Sequence, residues 1–282
     1  MLLPGAAEYG QKMLALARSA AETLRPELDI PYGPDPLQQL DVWAPPNVQR
    51  GGVRNSVPVV VLIHGGMYRN GHKEWLGAHA PAVTALPAVL VSINYRLVPQ
   101  VRVPDAVDDA FRALAWVHAN IRRFGGDPTR IHLGGHSVGG HLAALLALNR
   151  KRLASVGISA ADIASCLPIS APFTFAKRDL MPDGFLLRMH PQLFADEADG
   201  AAVSAYAHLG DSRIPFFVAG GERDVRELVP DNERFVRVLR ERGCLAGQHV
   251  SPAADHFGAH LDCVRPDSAW NVALRRFVET AA

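Results

Sequence analysis

Cysteine is scarce in this sequence. Cys166, Cys244 and Cys263 are its three cysteines in 282 residues, widely scattered and odd in number. A disulfide-stapled scaffold and a zinc ribbon both need paired cysteines at short spacing, so neither fits; reduced, mostly buried thiols are expected. Long apolar runs are also missing. No segment holds eighteen consecutive apolar residues, and the opening MLLPGAAEYG lacks a basic region, a sustained apolar core and a small-residue cleavage site. The chain therefore reads as soluble, unexported and cytoplasmic. An excess of one charge is absent too, with 29 Lys and Arg against 28 Asp and Glu and no long block of either sign. Nucleic acid and membrane are not expected partners, which leaves a small molecule. Internal repeats and low-complexity tracts are lacking as well.

What is present suits one large core. With 48% hydrophobic residues and 282 positions, a single α/β domain is the expectation. Residues 6–25 place Met13, Leu14, Ala17, Ala21 and Leu24 at helical spacing. LQQLDVWAP then alternates in the manner of a half-exposed strand. VPVVVLIHG and PAVLVSINY are short, β-branched and nearly continuous, as buried parallel strands are. Helices are expected over about 75–86 and over DAVDDAFRALAWVHANIRRFG, where Asp105 offers a cap and Gly125 a stop. From there RIHLGGH, SCLPISAP, IPFFVAGG and GQHVSPA read as strands. HLAALLALNRKRL, PDNERFVRVLRERG and the last fifteen or so residues read as helices. That order implies a mostly parallel sheet with helices on both faces. Residues 172–213 break the alternation with prolines, acidic residues and unpatterned apolar side chains. They read as an insertion over the pocket, a small cap to which Phe173, Phe175, Phe185, Leu186 and Met189 would contribute lining.

Residues 131–141, IHLGGHSVGGH, concentrate glycines around one serine. Gly135-His136-Ser137-Val138-Gly139 satisfies G-x-S-x-G, and it stands between an expected buried strand and an expected helix. That context matches the mechanics of a nucleophile at a sharp strand-to-helix turn, where flanking side chains would collide. A serine hydroxyl needs a base, and the base needs an acid to orient it. His256, in AADHFGAH, follows the last strand on what reads as a loop, and it is preferred over His260. Asp224 directly follows IPFFVAGG and ranks first as the acid, ahead of Glu222 and Asp231. For the oxyanion, the glycines of LIHGGMY let the N–H groups of Gly66 and Met67 approach, joined by that of Val138. His64 reads as a residue that shapes this loop, and Arg96 as a locally paired one.

The phrases HGGMYRNGHKEW, INYRLVP, WVHANIRRFGGDPTRIHLGGHSVGGHLAA and ERDVRELVPDNERF together resemble the α/β-hydrolase fold over roughly residues 35–280. They resemble its esterases with an HGG oxyanion loop, which include hormone-sensitive-lipase-like and kynurenine formamidase-like enzymes, and His136 favours the formamidase side. The resemblance implies Ser137 as nucleophile, Asp224 as acid, His256 as base and an oxyanion pocket at Gly66, Met67 and Val138. It implies a carboxylesterase or arylformamidase acting on a small ester or amide through an acyl-enzyme, without cofactor. Dimers are frequent among similar hydrolases, although no residue here establishes one. Two positions depart from the formamidase-like pattern, Tyr68 for Trp and Val138 for Ala, and the first bears on how an aromatic substrate is held. Tyr68, Phe175 and Phe185 are the candidate substrate-binding residues. A metal site built from His64, His72, His256 and His260 is disfavoured because no carboxylate ligand stands at fitting spacing. A noncatalytic binding protein on the same fold is the alternative, but such proteins usually lack a triad member.

Overall fold

The strands are Glu27–Pro31 (β1), Gln39–Trp43 (β2), Val57–Ile63 (β3), Val89–Ile93 (β4), Gly126–His136 (β5), Ile163–Ile169 (β6), Phe216–Gly221 (β7) and Ala246–Ser251 (β8). In the computed structural model, which describes residues 3–46, 48 and 56–280, they form one sheet in the order β1-β2-β4-β3-β5-β6-β7-β8. Pairing from β4 through β8 is parallel, whereas β1 with β2 and β2 with β4 are antiparallel.

Alternation along β3 shows why both faces are covered. Val59, Val61 and Ile63 enter one apolar cluster with Val103–Asn120 (α3), Val138–Leu148 (α4) and Leu228–Glu241 (α8). Val60 and Leu62 enter another with residues of Ala6–Leu24 (α1), Ala80–Thr84 (α2), His256–Val264 (α9) and Ala269–Thr280 (α10). A strand that is apolar on both sides, as VPVVVLI is, requires such a sandwich.

Some local expectations are corrected. β2 is buried apart from Gln39, not half-exposed, because its polar Asp41 is sealed against the Lys73 ammonium at 2.8 Å. The segment expected as one helix over 75–86 begins as a 3-10 segment, Lys73–His79, before α2, which starts at a proline-bearing first turn. Asp105 sits in the third position of α3, not at its cap, and accepts the Arg102 N–H at 2.9 Å. HLAALLALNRKRL breaks at Asn149, whose side chain caps Arg150–Ser155 (α5). Residues 172–213 contain the short helices Phe185–Leu193 (α6) and Glu197–Ala202 (α7). All three cysteines are free and buried. Among the described residues, no helix is long and apolar enough to cross a membrane.

Candidate active site

β5 ends at His136, and α4 begins at Val138, so Ser137 alone makes the turn between them. Its backbone lies at φ 55°, ψ −127°, a conformation that costs a non-glycine residue energy unless the surroundings enforce it. The neighbours do so. A Cβ on Gly135 would come within 2.5 Å of the Ile63 carbonyl oxygen, and one on Gly139 within 2.0 Å. Glycine at both positions lets β3 and the start of α4 approach this closely, while the Ser137 N–H is held by the Ile169 carbonyl at 2.8 Å.

The strand ends beside this turn bring the other candidates. Asp224 follows β7, and His256 follows β8 as the first residue of α9, which Asp255 caps through the Gly258 N–H at 2.7 Å. The candidate base is therefore set on a helix start, not on the loop expected; Asp255 before HFGAHLDCV is the sequence signal for it. His256 Nδ1 lies 2.7 Å from Asp224 Oδ1. Burial pushes the Asp224 carboxyl up. The His256 hydrogen bond and charge, with further bonds from Ser170 and the Val225 N–H, outweigh that and hold it below the usual carboxylate range. Ser170, which the sequence reading passed over, places Oγ 2.5 Å from Asp224 Oδ2.

Ser137 and His256 line one cavity of about 90 Å³ together with Gly66, Met67, Phe185 and Leu186. The imidazole spends Nδ1 on Asp224, which leaves Nε2 free of that bond. A larger groove of about 800 Å³ runs along α1, α2 and α9, but among the described residues no histidine or carboxylate lines it. Size alone does not locate the chemistry here.

The loop after β3 is fixed from several sides. The buried His64 ring stacks on Tyr95 at 4.4 Å, and its Nδ1 donates to the Gly65 carbonyl at 2.7 Å. Burial lowers its pKa to about 4, so it stays neutral, as its structural role requires. Gly66 has φ 111°, and a Cβ there would sit 2.1 Å from the Asn70 carbonyl oxygen. Val138 contributes no side chain to the cavity, but its N–H opens a helix, where amides lack intrahelical acceptors.

Two of the three expected substrate-binding residues lie elsewhere. Left-handed backbone at Met67 and Tyr68 carries the Tyr68 ring inward, where it is fully buried and its hydroxyl donates to His141 Nδ1 at 2.5 Å. His141 in turn donates from Nε2 to the Val203 carbonyl. Phe175 is equally buried, edge-on to both Tyr68 and His141. Only Phe185 of the three reaches the cavity, and Leu186 joins it. Phe173 stacks on Phe235 at 3.7 Å in the core, and Met189 packs beside the core, away from the cavity wall.

The rival acid and base candidates are also placed. Asp231 accepts from the Phe173 N–H and the Tyr206 hydroxyl, and Glu222 from the Ala253 N–H. His260 is bonded to Tyr9 and His79. His136 stacks on His260, lies tilted against His256 and donates from Nε2 to the His256 carbonyl at 3.0 Å. Arg96 pairs with Asp109 through two bonds of 2.7 Å. The sequence reading gave no cavity role to Tyr9 and Trp75, which complete a wall on the α1 side.

Comparison with known proteins agrees with this architecture. The chain is 32% identical to esterase LipQ of Mycobacterium tuberculosis over 256 residues, covering 85% of this chain and 58% of LipQ. It is 32% identical to the probable carboxylic ester hydrolase LipM of the same organism over 227 residues, covering 76% of this chain and 51% of LipM. It thus spans little more than half the length of these curated relatives. The hyperthermophilic esterase of the archaeon Pyrobaculum calidifontis superposes with a TM-score of 0.75 at 24% identity, over 98% of this chain and 92% of that one, a likeness of fold. Residues 60–259, most of the sequence, match the alpha/beta hydrolase fold family, and the chain belongs to it.

Proposed function

We propose that the protein is a serine hydrolase that cleaves a small carboxylic ester through an acyl-enzyme, with Ser137 as nucleophile, His256 as base and Asp224 as orienting acid. One observation carries this reading. Ser137, in a left-handed turn, shares a cavity with His256, whose Nδ1 lies 2.7 Å from Asp224. The His256 Nδ1–H donates to Asp224, which leaves the Nε2 lone pair to take the Ser137 proton as Oγ bonds the carbonyl carbon. Negative charge then gathers on the former carbonyl oxygen, and the N–H groups of Gly66, Met67 and Val138 receive it. Each such donor is worth about 3 kcal/mol of transition-state stabilisation. Collapse breaks the ester C–O bond, and the leaving alkoxide takes the proton from His256. Water then enters by the same route, giving its proton to His256 as it attacks the acyl carbon; collapse breaks the acyl–Oγ bond, Ser137 Oγ takes the proton back from His256, and the acid departs.

The names of LipQ and LipM support an ester over an aryl formamide. An apolar wall at Phe185 and Leu186 suits a short acyl or alkyl group. In this reading α1 and residues 172–213 act as a cap on one hydrolase domain.

A fluorophosphonate probe tests the nucleophile: wild type should be labelled at Ser137, and Ser137→Ala should stay folded, resist the probe and lose ~10⁴-fold or more in kcat. A folded wild-type protein that refuses the label defeats the proposal. Comparing kcat/KM for p-nitrophenyl acetate, butyrate and octanoate with that for N-formylkynurenine decides between ester and formamide.

A further inference from the structure

The loop that follows β7 carries more than Asp224. Val225 of this loop and Leu228, the first residue of α8, form one part of the cavity wall, and Phe185 and Leu186, in the first turn of α6, form another. Glu227 joins the two. Its carboxylate accepts the Phe185 N–H at 2.9 Å and the Leu186 N–H at 2.6 Å. These belong to the four amides that a helix start leaves without intrahelical acceptors, and no other side chain caps them: the residue before α6 is Gly184. A carboxylate at that end also faces the positive pole of the helix, and its bonds are charge-assisted.

α6 needs such an anchor. It has nine residues and a proline, Pro191, within it, so it has little stability of its own. The neighbouring Arg226–Asp183 ion pair, at 3.1 Å, is largely exposed on both sides and adds little.

We propose that Glu227 is a specificity-determining residue, a latch that pins the cap helix to the acid loop and so fixes how long an apolar chain the cavity admits. The proposal rests on the ester-hydrolase reading above. It deepens that reading by assigning short-chain preference to a group outside the reacting atoms. With the latch closed, Phe185 and Leu186 are held against Val225 and Leu228. With it open, the α6 wall is free to retreat while Ser137, His256 and Asp224 keep their own supports.

Two measurements on Glu227→Ala test this. Amide hydrogen exchange should quicken at Phe185 and Leu186. The ratio of kcat/KM for p-nitrophenyl octanoate to that for acetate should rise about five-fold or more, while fluorophosphonate labelling of Ser137 stays within about two-fold of wild type. Glu227→Gln keeps one acceptor oxygen, should fall between the two, and serves if the alanine variant does not fold. Unchanged exchange overturns the latch, and faster exchange with an unchanged chain-length ratio overturns its role in specificity. Failure of the hydrolase reading looks different: wild type itself goes unlabelled, and a latch without a substrate cavity to shape has no specificity role.

Discussion

The first and the fifth residue of α9 are the same side chain in opposite circumstances. His256 and His260 stand one turn apart on one helix face. His256 gives one nitrogen to a carboxylate and lines a cavity. His260 has both nitrogens occupied by neutral groups, the Tyr9 hydroxyl at 2.7 Å and His79 Nε2 at 2.9 Å. Burial, followed by the neighbouring His136, His79 and His256, pushes its pKa well below the ordinary 6.5. A general base must be able to gain a proton at modest cost and must reach a substrate. His256 has a carboxylate partner and a place on the cavity wall, whereas His260 has neither and instead ties α1, the 3-10 segment before α2 and α9 into one unit.

Breaking the cavity end should have the largest effect. His256→Gln is expected to lower kcat/KM by ~10⁴-fold or more, to abolish fluorophosphonate labelling and to leave the melting temperature close to wild type. A variant with activity near wild type would move the base elsewhere.

Breaking the buried contacts of His260 should do the reverse. His260→Gln strands polar partners in the core and is expected to cost about 1–3 kcal/mol in urea unfolding, with kcat of the folded protein nearly kept. It should also flatten the response to acid. Folded His260 lies below 6.5 and His79 is pushed by burial to about 3, so as pH falls the unfolded chain protonates first. The stability these residues contribute is therefore present above about pH 6.5, the ordinary imidazole value that applies in the unfolded chain, and is lost progressively below it. A plot of unfolding free energy against pH between 6.5 and 4 should be less steep in His260→Gln; equal slopes would remove His260 from the account.

The finest division lies within the cavity end itself. Ser170→Ala deletes one of the bonds that hold Asp224 ionised, so the Asp224 pKa should rise. A loss of about ten-fold in kcat/KM is expected, because one hydrogen bond to a charged group is worth about 1.5–3 kcal/mol and only part of it reaches the transition state. The acid limb of the pH–rate profile should move to higher pH. An unshifted limb would show that Ser170 merely fills space.

How much of this was legible depended on how local the cause was. The run VPVVVLI announces a strand covered on both faces because every side chain in it is apolar. The turn at Ser137 is equally plain, since glycines at 135 and 139 mark where the Ile63 carbonyl leaves no room for Cβ atoms. β1 escaped notice because ELDIP is a five-residue, exposed or half-buried antiparallel edge whose register shifts between Glu27 and Ile30. Tyr68 and Phe175 were misplaced for another reason. Aromatic side chains beside a motif look alike whether they face a cavity or the core, and the left-handed backbone that turns Tyr68 inward follows no residue pattern. Ser170 had no motif at all; only the approach of the β6 and β7 ends gives it a partner 54 residues away.

The sequence by itself determined the alternation of strands and helices, the sharp turn that exposes one serine, and the chain order of nucleophile, acid and base candidates. Those properties arise from side-chain periodicity and from steric demands among near neighbours, which a linear reading contains. Tertiary structure alone decided which histidine faces Asp224, which aromatics reach the cavity and which carboxylate pins α6. These choices rest on contacts between distant segments, such as Tyr9 with His260 across 251 positions, and the sum of packing over the whole molecule selects them.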